Sequence, residues 1–484
     1  PPVLLKECSA ALSYPLTCLF NLSLSSGRFP TEWKSSFVTP IYKGGDRESI
    51  LHYRPVCSLS TTPKILEKMV VTQLSAEFSS YIAPEQHGFL RGRSTVTNLL
   101  EFQEFVMAGF QMGCQTDVVS TDYAKAFDKL SHVHLLSLLE SLGVFGSFLN
   151  WLSSYLDGRK LMVRVRGTLS SPFTATSGIP QCSHIGPISF VIIINSVVRS
   201  FHPGIRCLLF ADDLKLFCHV NTVLDCETLQ LAICDLEEWC TSNFLFLNPS
   251  KCSIVTFHRT VQPVIHDYSL CGSYLRRLED ITDLGVLCDV KLTFSGHIEN
   301  VAGRAMRALG FLKRNTREFT DTRALVILYK ALVLPLLEYA SPVWSPSYSV
   351  HKYCLERVQN KFLRYVAYKL GIPTYDVDYA YLLDTCHLLP LEKRRNVADL
   401  TFFHKLLNGK LSCPALLSRV GLRTPRQAAR SSFLFAVPFS ATNYLQNRPI
   451  HRLPRSANLL LIQHPEFDFF FHPVTTLKSL INRS

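Results

Sequence analysis

Two adjacent aspartates, Asp212 and Asp213, stand between apolar, strand-like runs in Cys207-Leu208-Leu209-Phe210-Ala211-Asp212-Asp213-Leu214-Lys215-Leu216-Phe217. No other feature of the chain limits its fold as sharply. Paired carboxylates are costly to set among hydrophobic residues unless a cation neutralises them. The flanks read as two short strands, which puts the pair at the tip of a hairpin. Alone, the same residues would make an ordinary acidic turn. A third aspartate changes that reading. Asp122 ends the strand-like stretch Asp117-Val118-Val119-Ser120-Thr121-Asp122, and the sequence Tyr123-Ala124-Lys125-Ala126-Phe127-Asp128 opens a helix-like stretch just after it. A carboxylate at one strand's end can meet a hairpin tip on its neighbour, gathering three carboxylates around one pocket. Such a cluster suits Mg²⁺, which prefers oxygen ligands and shares itself with substrate phosphates. Two ions roughly 4 Å apart stabilise both the attacking and the leaving oxygen of an in-line phosphoryl displacement. Three residues thus point to nucleotidyl transfer.

The remaining composition is compatible with that chemistry. A chain of 484 residues is long enough for two to four domains with sizeable cores. A hydrophobic share of 47% with 18% charged residues excludes wholesale disorder. The net charge of +12 is unevenly placed: residues 1–287 carry 23 Lys and Arg against 25 Asp and Glu, whereas residues 291–370 carry 13 against 5 and residues 388–484 carry 14 against 4. A near-neutral body followed by basic segments suits a polyanion held by the C-terminal half; solvated basic helix faces would give the same count. The 16 cysteines include no Cys-x-x-Cys pair, so neither a zinc ribbon nor a zinc knuckle is evident. Scattered cysteines in a chain this long read as reduced core residues of an intracellular protein, nuclear or cytoplasmic. The most apolar run, Ile188 to Ile194, is too short to span a bilayer. The chain starts at Pro1-Pro2 without an initiator Met or a signal-like segment, and reads as a piece of something longer.

Periodicity predicts helices in residues 1–30 up to the Gly27-Arg28-Phe29-Pro30 turn, then a strand over 33–43. A helix follows over 62–78, and others over 96–110 and 131–156 flank the Asp122 strand. Alternation over 160–176 predicts a hairpin, and residues 222–243 an amphipathic helix with Leu229, Ile233, Leu236 and Trp239 on one face. Strands are expected near 253–258 and 265–278, and basic-faced helices over 295–370. The fold class is α+β, with a helical appendage.

At this point several segments together resemble one family, the reverse transcriptases of non-LTR (LINE-type, jockey-like) retrotransposons. Phe210-Ala211-Asp212-Asp213 resembles the family's catalytic hairpin, and Asp122 to Asp128 its first palm motif. Ser177-Gly178-Ile179-Pro180-Gln181-Cys182-Ser183-His184-Ile185-Gly186-Pro187 is similar to its substrate-facing loop and helix. Tyr53-Arg54-Pro55 and His87-Gly88-Phe89 through Ser94 resemble fingers motifs, and Leu247-Asn248-Pro249-Ser250-Lys251-Cys252 a later palm motif. Leu337-Glu338-Tyr339-Ala340-Ser341-Pro342-Val343-Trp344 resembles the region next to the thumb.

The resemblance implies a right-hand polymerase: an N-terminal helical segment (1–23), fingers and palm with an antiparallel palm sheet (24–287), a helical thumb (288–370) and a basic C-terminal segment (371–484). It implies an RNA template, a DNA primer and deoxynucleoside triphosphates as partners, with no membrane. Asp122, Asp212 and Asp213 would hold two Mg²⁺ ions, with Mn²⁺ as a substitute, and Asp213 would have the more supporting part. Phe127 falls at the place of an aromatic gate against a 2′-hydroxyl, or is a core residue on the helix after the strand. Tyr123 would offer its backbone to the triphosphate. Arg54 would contact phosphate oxygens, which a planar guanidinium suits, or stay a surface arginine. Gln181 would hydrogen-bond near the nucleotide sugar. Lys251 would act as general acid for the leaving pyrophosphate, or be one more surface lysine.

Two positions depart from the family's pattern. Cys182 stands where Gly is usual after Pro-Gln, and Asn195-Ser196 replaces Asn-Asp. If position 182 needs a positive φ or close passage of substrate, a Cβ there costs on the order of 1–3 kcal/mol. An impaired copy that only binds nucleic acid is therefore the alternative to an active enzyme. Ala211 and Phe127 speak against an RNA-dependent RNA polymerase. No motifs of the family's endonuclease precede residue 1, and no retroviral-type ribonuclease H carboxylate set follows residue 371.

Overall fold

The computed structural model describes residues 2–373, 375, 377–423 and 433–483. Its organising element is a mixed, mostly antiparallel five-stranded sheet. Strand β3 (Gln115–Thr121) lies at the centre, antiparallel to β8 (Asp213–Val220) on one side and to β9 (Ser253–Phe257) on the other. Strand β7 (Arg206–Phe210) closes a hairpin with β8, and β12 (Arg276–Leu278) runs parallel to β9. A second sheet joins β1 (Ser35–Tyr42), antiparallel to β2 (Tyr53–Ser58), with β4 (Lys160–Val165), which pairs in turn with β5 (Thr168–Leu169) and β6 (Phe173–Thr174).

Period-two alternation divides the central sheet's side chains between two cores. Val119, Leu209, Leu216 and Ile254 face one core, with helices α3 (Thr61–Glu77), α5 (His132–Ser141), α6 (Gly146–Leu156), α7 (Ile185–Ile194) and α8 (Val223–Ser242). Val118, Leu208, Phe217 and Val255 face the other, beginning with α4 (Thr95–Met112). Each such side chain contributes about 1.5–3 kcal/mol on burial, so the sheet is held from both faces.

The second core is continuous through α9 (Ser295–Asn315), α10 (Thr322–Leu332), α11 (Leu334–Glu338), α12 (Ser341–Trp344) and α13 (Ser349–Lys369). It runs on into the basic C-terminal region, where α14 (Tyr379–Thr385), α15 (Leu391–Leu407), α16 (Pro414–Leu417), α17 (Asn443–Gln446), α18 (Pro449–Gln463) and α19 (Val474–Arg483) follow. Phe403, Phe435 and Phe469 pack edge to face within it. Polar ties add to the packing: Ile450 N donates to buried Glu104 Oε1 at 3.1 Å, and Arg448 Nη1 to Gln111 Oε1 at 3.1 Å. Among the described residues no helix is long and apolar enough to cross a membrane.

Three expectations need correction. The N-terminal helices are α1 (Pro2–Glu7) and α2 (Ser9–Ser25), as periodicity indicates, but 131–156 is two helices. Gly143 and Gly146, with φ of +91° and +69°, supply the left-handed turn between α5 and α6. No helix begins at Tyr123: Ala124 N donates to Phe246 O at 2.7 Å, Asn248 N donates to Asp122 O at 2.8 Å, and Lys125 adopts a φ of +58°. Pairing with the extended 246–248 segment takes the backbone groups a helix would need. The strand over 265–278 is broken into β10 (Ser269–Leu270), β11 (Ser273–Tyr274) and β12, because Cys271 and Gly272 both have positive φ and turn a tight hairpin.

Two buried imidazoles make this fold acid-sensitive. His297 Nδ1 accepts from Leu287 N at 3.1 Å, and His451 lies between Ser440 Oγ (3.0 Å) and Arg448 Nη2 (2.9 Å), which requires a neutral ring. Burial, then a neighbouring arginine, pushes each down to about 4. The unfolded chain takes up these protons near pH 6.5 and the folded chain does not, so stability is full above that pH and falls toward pH 4. Chemical denaturation at pH 7.5 and pH 5 should show the loss, up to about 1.4 kcal/mol per pH unit for each ring. Replacing both histidines with glutamine should flatten the slope.

Candidate active site

Phe210 pairs with Asp213, leaving Ala211-Asp212 as a two-residue loop at the end of the β7–β8 hairpin. Ala211 has a φ of +60°, the left-handed conformation such loops demand. Across the sheet, the β3–β8 register ends with Thr121 opposite Leu214, so Asp122 comes next on the strand, beside Asp213. Asp122, Asp212 and Asp213 therefore lie at the same end of the central sheet.

Their electrostatics shows crowded negative charge that nearby cations offset only in part. Burial and then the Asp122 charge raise the Asp212 carboxyl above its usual range, while Arg54 opposes the shift. Asp213 keeps solvent contact, yet the protein around it, followed by the charges of Asp212, Asp283 and Asp122, pushes it up to about 6. Asp122 itself is partnered by Lys251, whose Nζ lies 3.1 Å from Asp122 Oδ2. Lys215, on β8 two residues past Asp213, is buried against Asp283 and over the Phe102 ring. Among the described residues no three His, Cys, Asp or Glu side chains converge closely enough, as they stand, to enclose a metal ion. The donor set nevertheless fits a hard divalent cation: three carboxylates that repel one another, at a position open to ligand.

The other candidates sit around this end of the sheet. Arg54 is exposed on β2, near enough for its charge to act on Asp212. The Tyr123 ring is buried beneath the sheet, and its backbone bridges to Leu247 through bonds made by the flanking residues, so its own N–H is not spent in that pairing. Phe127 is half-buried in the turn after β3, not on a helix, with its ring 4.8 Å from that of Phe190. Gln181 Nε2 donates to Asp128 Oδ1 at 2.9 Å. Ile179 N donates to Phe127 O at 3.0 Å, so the substrate-facing loop and the Phe127 turn are laced together. Gly178 is required there: with φ +77°, a Cβ would lie 2.5 Å from Asp128 O.

Three residues were not singled out from the sequence. Asp128 anchors Gln181. Glu67 is buried on α3 and accepts from His184 N at 2.8 Å, holding the start of α7; its only sequence signal is a charge among the apolar positions of that helix. Gln86 is wholly buried beside the catalytic hairpin, and no local pattern reveals it. The two departures from pattern also find places. Asn195 ties the end of α7 to the loop before α4, accepting from Ala83 N at 2.6 Å, and Ser196 accepts from Trp239 Nε1 at 3.0 Å.

The chain is similar in sequence to known proteins. The family described as reverse transcriptase (RNA-dependent DNA polymerase) matches residues 43–310. A probable RNA-directed DNA polymerase from transposon BS of Drosophila melanogaster is 28% identical over 362 residues, covering 72% of this chain and 40% of that protein. The RNA-directed DNA polymerase from mobile element jockey of Drosophila funebris is 26% identical over 379 residues, covering 75% and 40%. The chain thus spans about two-fifths of the length of these relatives. Among solved structures, apo telomerase from Candida tropicalis is similar at 10% identity with a TM-score of 0.42, over 80% of this chain and 67% of that one.

Cys182 is exposed and has a φ of +75°, a conformation that costs an L-residue with a Cβ on the order of 1–2 kcal/mol. Cys182→Gly should therefore raise the free energy of unfolding, and with it the midpoint, by up to about 1 kcal/mol after the entropy of glycine is subtracted. Cys182→Ala, which keeps the Cβ, should not. Equal midpoints for the two variants would remove backbone strain as an account of this position.

Proposed function

Because the chain belongs to the reverse transcriptase (RNA-dependent DNA polymerase) family, we propose that it acts as the RNA-directed DNA polymerase of a non-LTR retrotransposon. The observation that carries this reading is the placement of Asp122, Asp212 and Asp213 at one end of the central sheet, where the Asp122 charge helps raise Asp212 and the Asp212 and Asp122 charges help raise Asp213. The domains follow as a right hand: an N-terminal helical segment over 1–23, fingers and palm over 24–287, a thumb over 288–370 and a basic C-terminal segment over 371–484. The substrates are an RNA template, a DNA primer and deoxynucleoside triphosphates, held in part by the excess of Lys and Arg beyond residue 290.

The three aspartates would hold two Mg²⁺ ions, or Mn²⁺ in their place. When bound, such ions offset charge on the attacking and leaving oxygens of an in-line displacement. The chain's own residues supply the rest. Arg54 binds triphosphate oxygens, and the Tyr123 backbone lies beside them. Phe127, braced by Phe190, fills the space a 2′-hydroxyl would need. Gln181, fixed by Asp128, lies where the sugar would pass. Lys251 is the cation next to Asp122 and carries the proton that the leaving pyrophosphate takes up.

Cys182 sustains the second reading, a copy impaired in polymerisation that still binds nucleic acid, because its strained backbone lies in the substrate-facing loop. Primer extension on poly(rA)/oligo(dT) with Mg²⁺ or Mn²⁺ separates the two. Incorporation is expected in the parent, and its absence alongside normal template–primer binding would favour the impaired copy. Asp212→Asn should abolish incorporation and leave RNA binding and the folded state largely unchanged; undiminished incorporation would end the assignment of the aspartates.

Sugar selection offers a separate check on Phe127. Phe127→Val removes the ring that would meet a 2′-hydroxyl, so ribonucleotide incorporation should rise relative to deoxynucleotide incorporation. Unchanged discrimination would make Phe127 a packing partner of Phe190 and nothing more.

A further inference from the structure

The hairpin that carries Asp212 ends in a loop with little to fix it from within. Ala211 sits at φ +60° without the freedom of a glycine, and the loop lies at the outer edge of the sheet, since β7 is its last strand. What holds it comes from residues 83–98. Gln86 forms a parallel bridge with Leu209, and its neighbours complete the pairing: His87 N donates to Leu209 O at 2.8 Å, and Leu209 N donates to Glu85 O at 2.9 Å. Asn98 Nδ2, from α4, adds a bond to Leu209 O at 3.1 Å.

The Gln86 side chain then reaches the loop itself. It is fully buried, and its Oε1 accepts two backbone N–H groups, from Gly88 at 2.7 Å and from Ala211 at 3.0 Å. Two converging donors fix the orientation of the amide, because only its oxygen can accept. Gly88 lies so close that a Cβ there would come within 2.4 Å of Ala211 N. Arg93 holds the segment from behind, with Nη1 donating to the carbonyls of Ala83 (3.1 Å), Pro84 (2.7 Å) and Gln86. The amide of the residue immediately before Asp212 is thus tied to a second, separately braced piece of backbone.

Resting on the polymerase reading above, we propose that Gln86 is a positioning residue for nucleotidyl transfer: by holding the Ala211 amide it sets the direction in which the Asp212 carboxylate is presented. It touches no substrate. Its effect is on the geometry of a loop whose charged side chain would otherwise be turned by the repulsion from Asp122 and Asp213. Displacement of a reacting group by about 1 Å can lower rate a hundredfold without loss of binding, which sets the scale expected here.

The test pairs Gln86→Met, similar in length but without the acceptor, with the milder Gln86→Asn, the same amide one methylene short. Hydrogen exchange in the peptide over 206–214 should accelerate at least tenfold in the methionine variant, while protection in β3 stays at the parental level. Single-nucleotide incorporation should lose ten- to a hundredfold in kcat, with the nucleotide KM and template–primer affinity within about twofold of the parent. Gly88→Ala, which pushes on Ala211 with Gln86 in place, should give the same split. Unaltered hairpin exchange, or a loss that falls equally on KM, binding and thermal midpoint, would overturn the proposal and leave Gln86 as a structural residue. If the methionine variant does not fold, the asparagine variant carries the same comparison. A parent that incorporates no nucleotide would refute the polymerase reading, and hairpin exchange would still decide whether Gln86 fixes the loop.

Discussion

The register of β3 against β8 is the constraint on which the rest of the structure depends. Side chains alternate strictly along a strand, so a slip of one residue would exchange every inward side chain for an outward one. In β3 neither exchange is tolerable, because Val118 belongs to the core shared with the C-terminal helices and Val119 to the core beneath α7 and α8. The same pairing, ended at Thr121 and Leu214, sets Asp122 beside Asp213. Apolar packing on two faces therefore determines where three mutually repelling carboxylates meet. The repulsion is affordable because it falls at the strand ends, where solvent and ligands reach, and not along the buried length.

Much of this was legible in the sequence, for a physical reason. The Asp-Asp hairpin, the strand ending in Asp122 and the helices α3, α4 and α8 are local patterns of hydrophobicity, and local patterns determine local structure. The turn after β3 was not legible. Tyr123 to Asp128 has helical composition, but at its start Asp122 O and Ala124 N are bonded to Asn248 and Phe246, over a hundred positions away. The division of 131–156 could have been read from Gly143 and Gly146. The positive φ of Lys125, Ala211 and Cys182 could not, since none of these residue types advertises that conformation.

The polar braces of the site were hidden for the same reason. Glu67 meets His184 across 117 residues, and Gln86 meets Ala211 across 125. Each is a single polar residue in an otherwise ordinary context, made necessary only by what the fold brings near. Burial makes such contacts consequential: an N–H left without its acceptor in a closed interior costs about 1–3 kcal/mol. The basic C-terminal region is a related case. Its charge count speaks of its surface, whether for a polyanion or for solvent, whereas Phe403, Phe435 and Phe469 place its interior in the core shared with α4 and α9 to α13. Charge describes the surface of that region, and its aromatic residues describe how it is anchored.

The Lys251–Asp122 pair shows how the site can be both neutralised and open. Its side chains are 59% and 39% exposed, and exposed ion pairs of this kind contribute about 0–1 kcal/mol. An ammonium on a flexible stem can thus offset the charge on Asp122 without holding the carboxylate against a stronger ligand. The buried Lys215–Asp283 pair on the next strand is different: removing one partner would leave the other charged in a dry setting. One lysine is fixed as part of the framework under the hairpin, and the other is free to exchange partners at its mouth. That difference in burial, more than any difference in residue type, separates scaffold from chemistry at this end of the sheet.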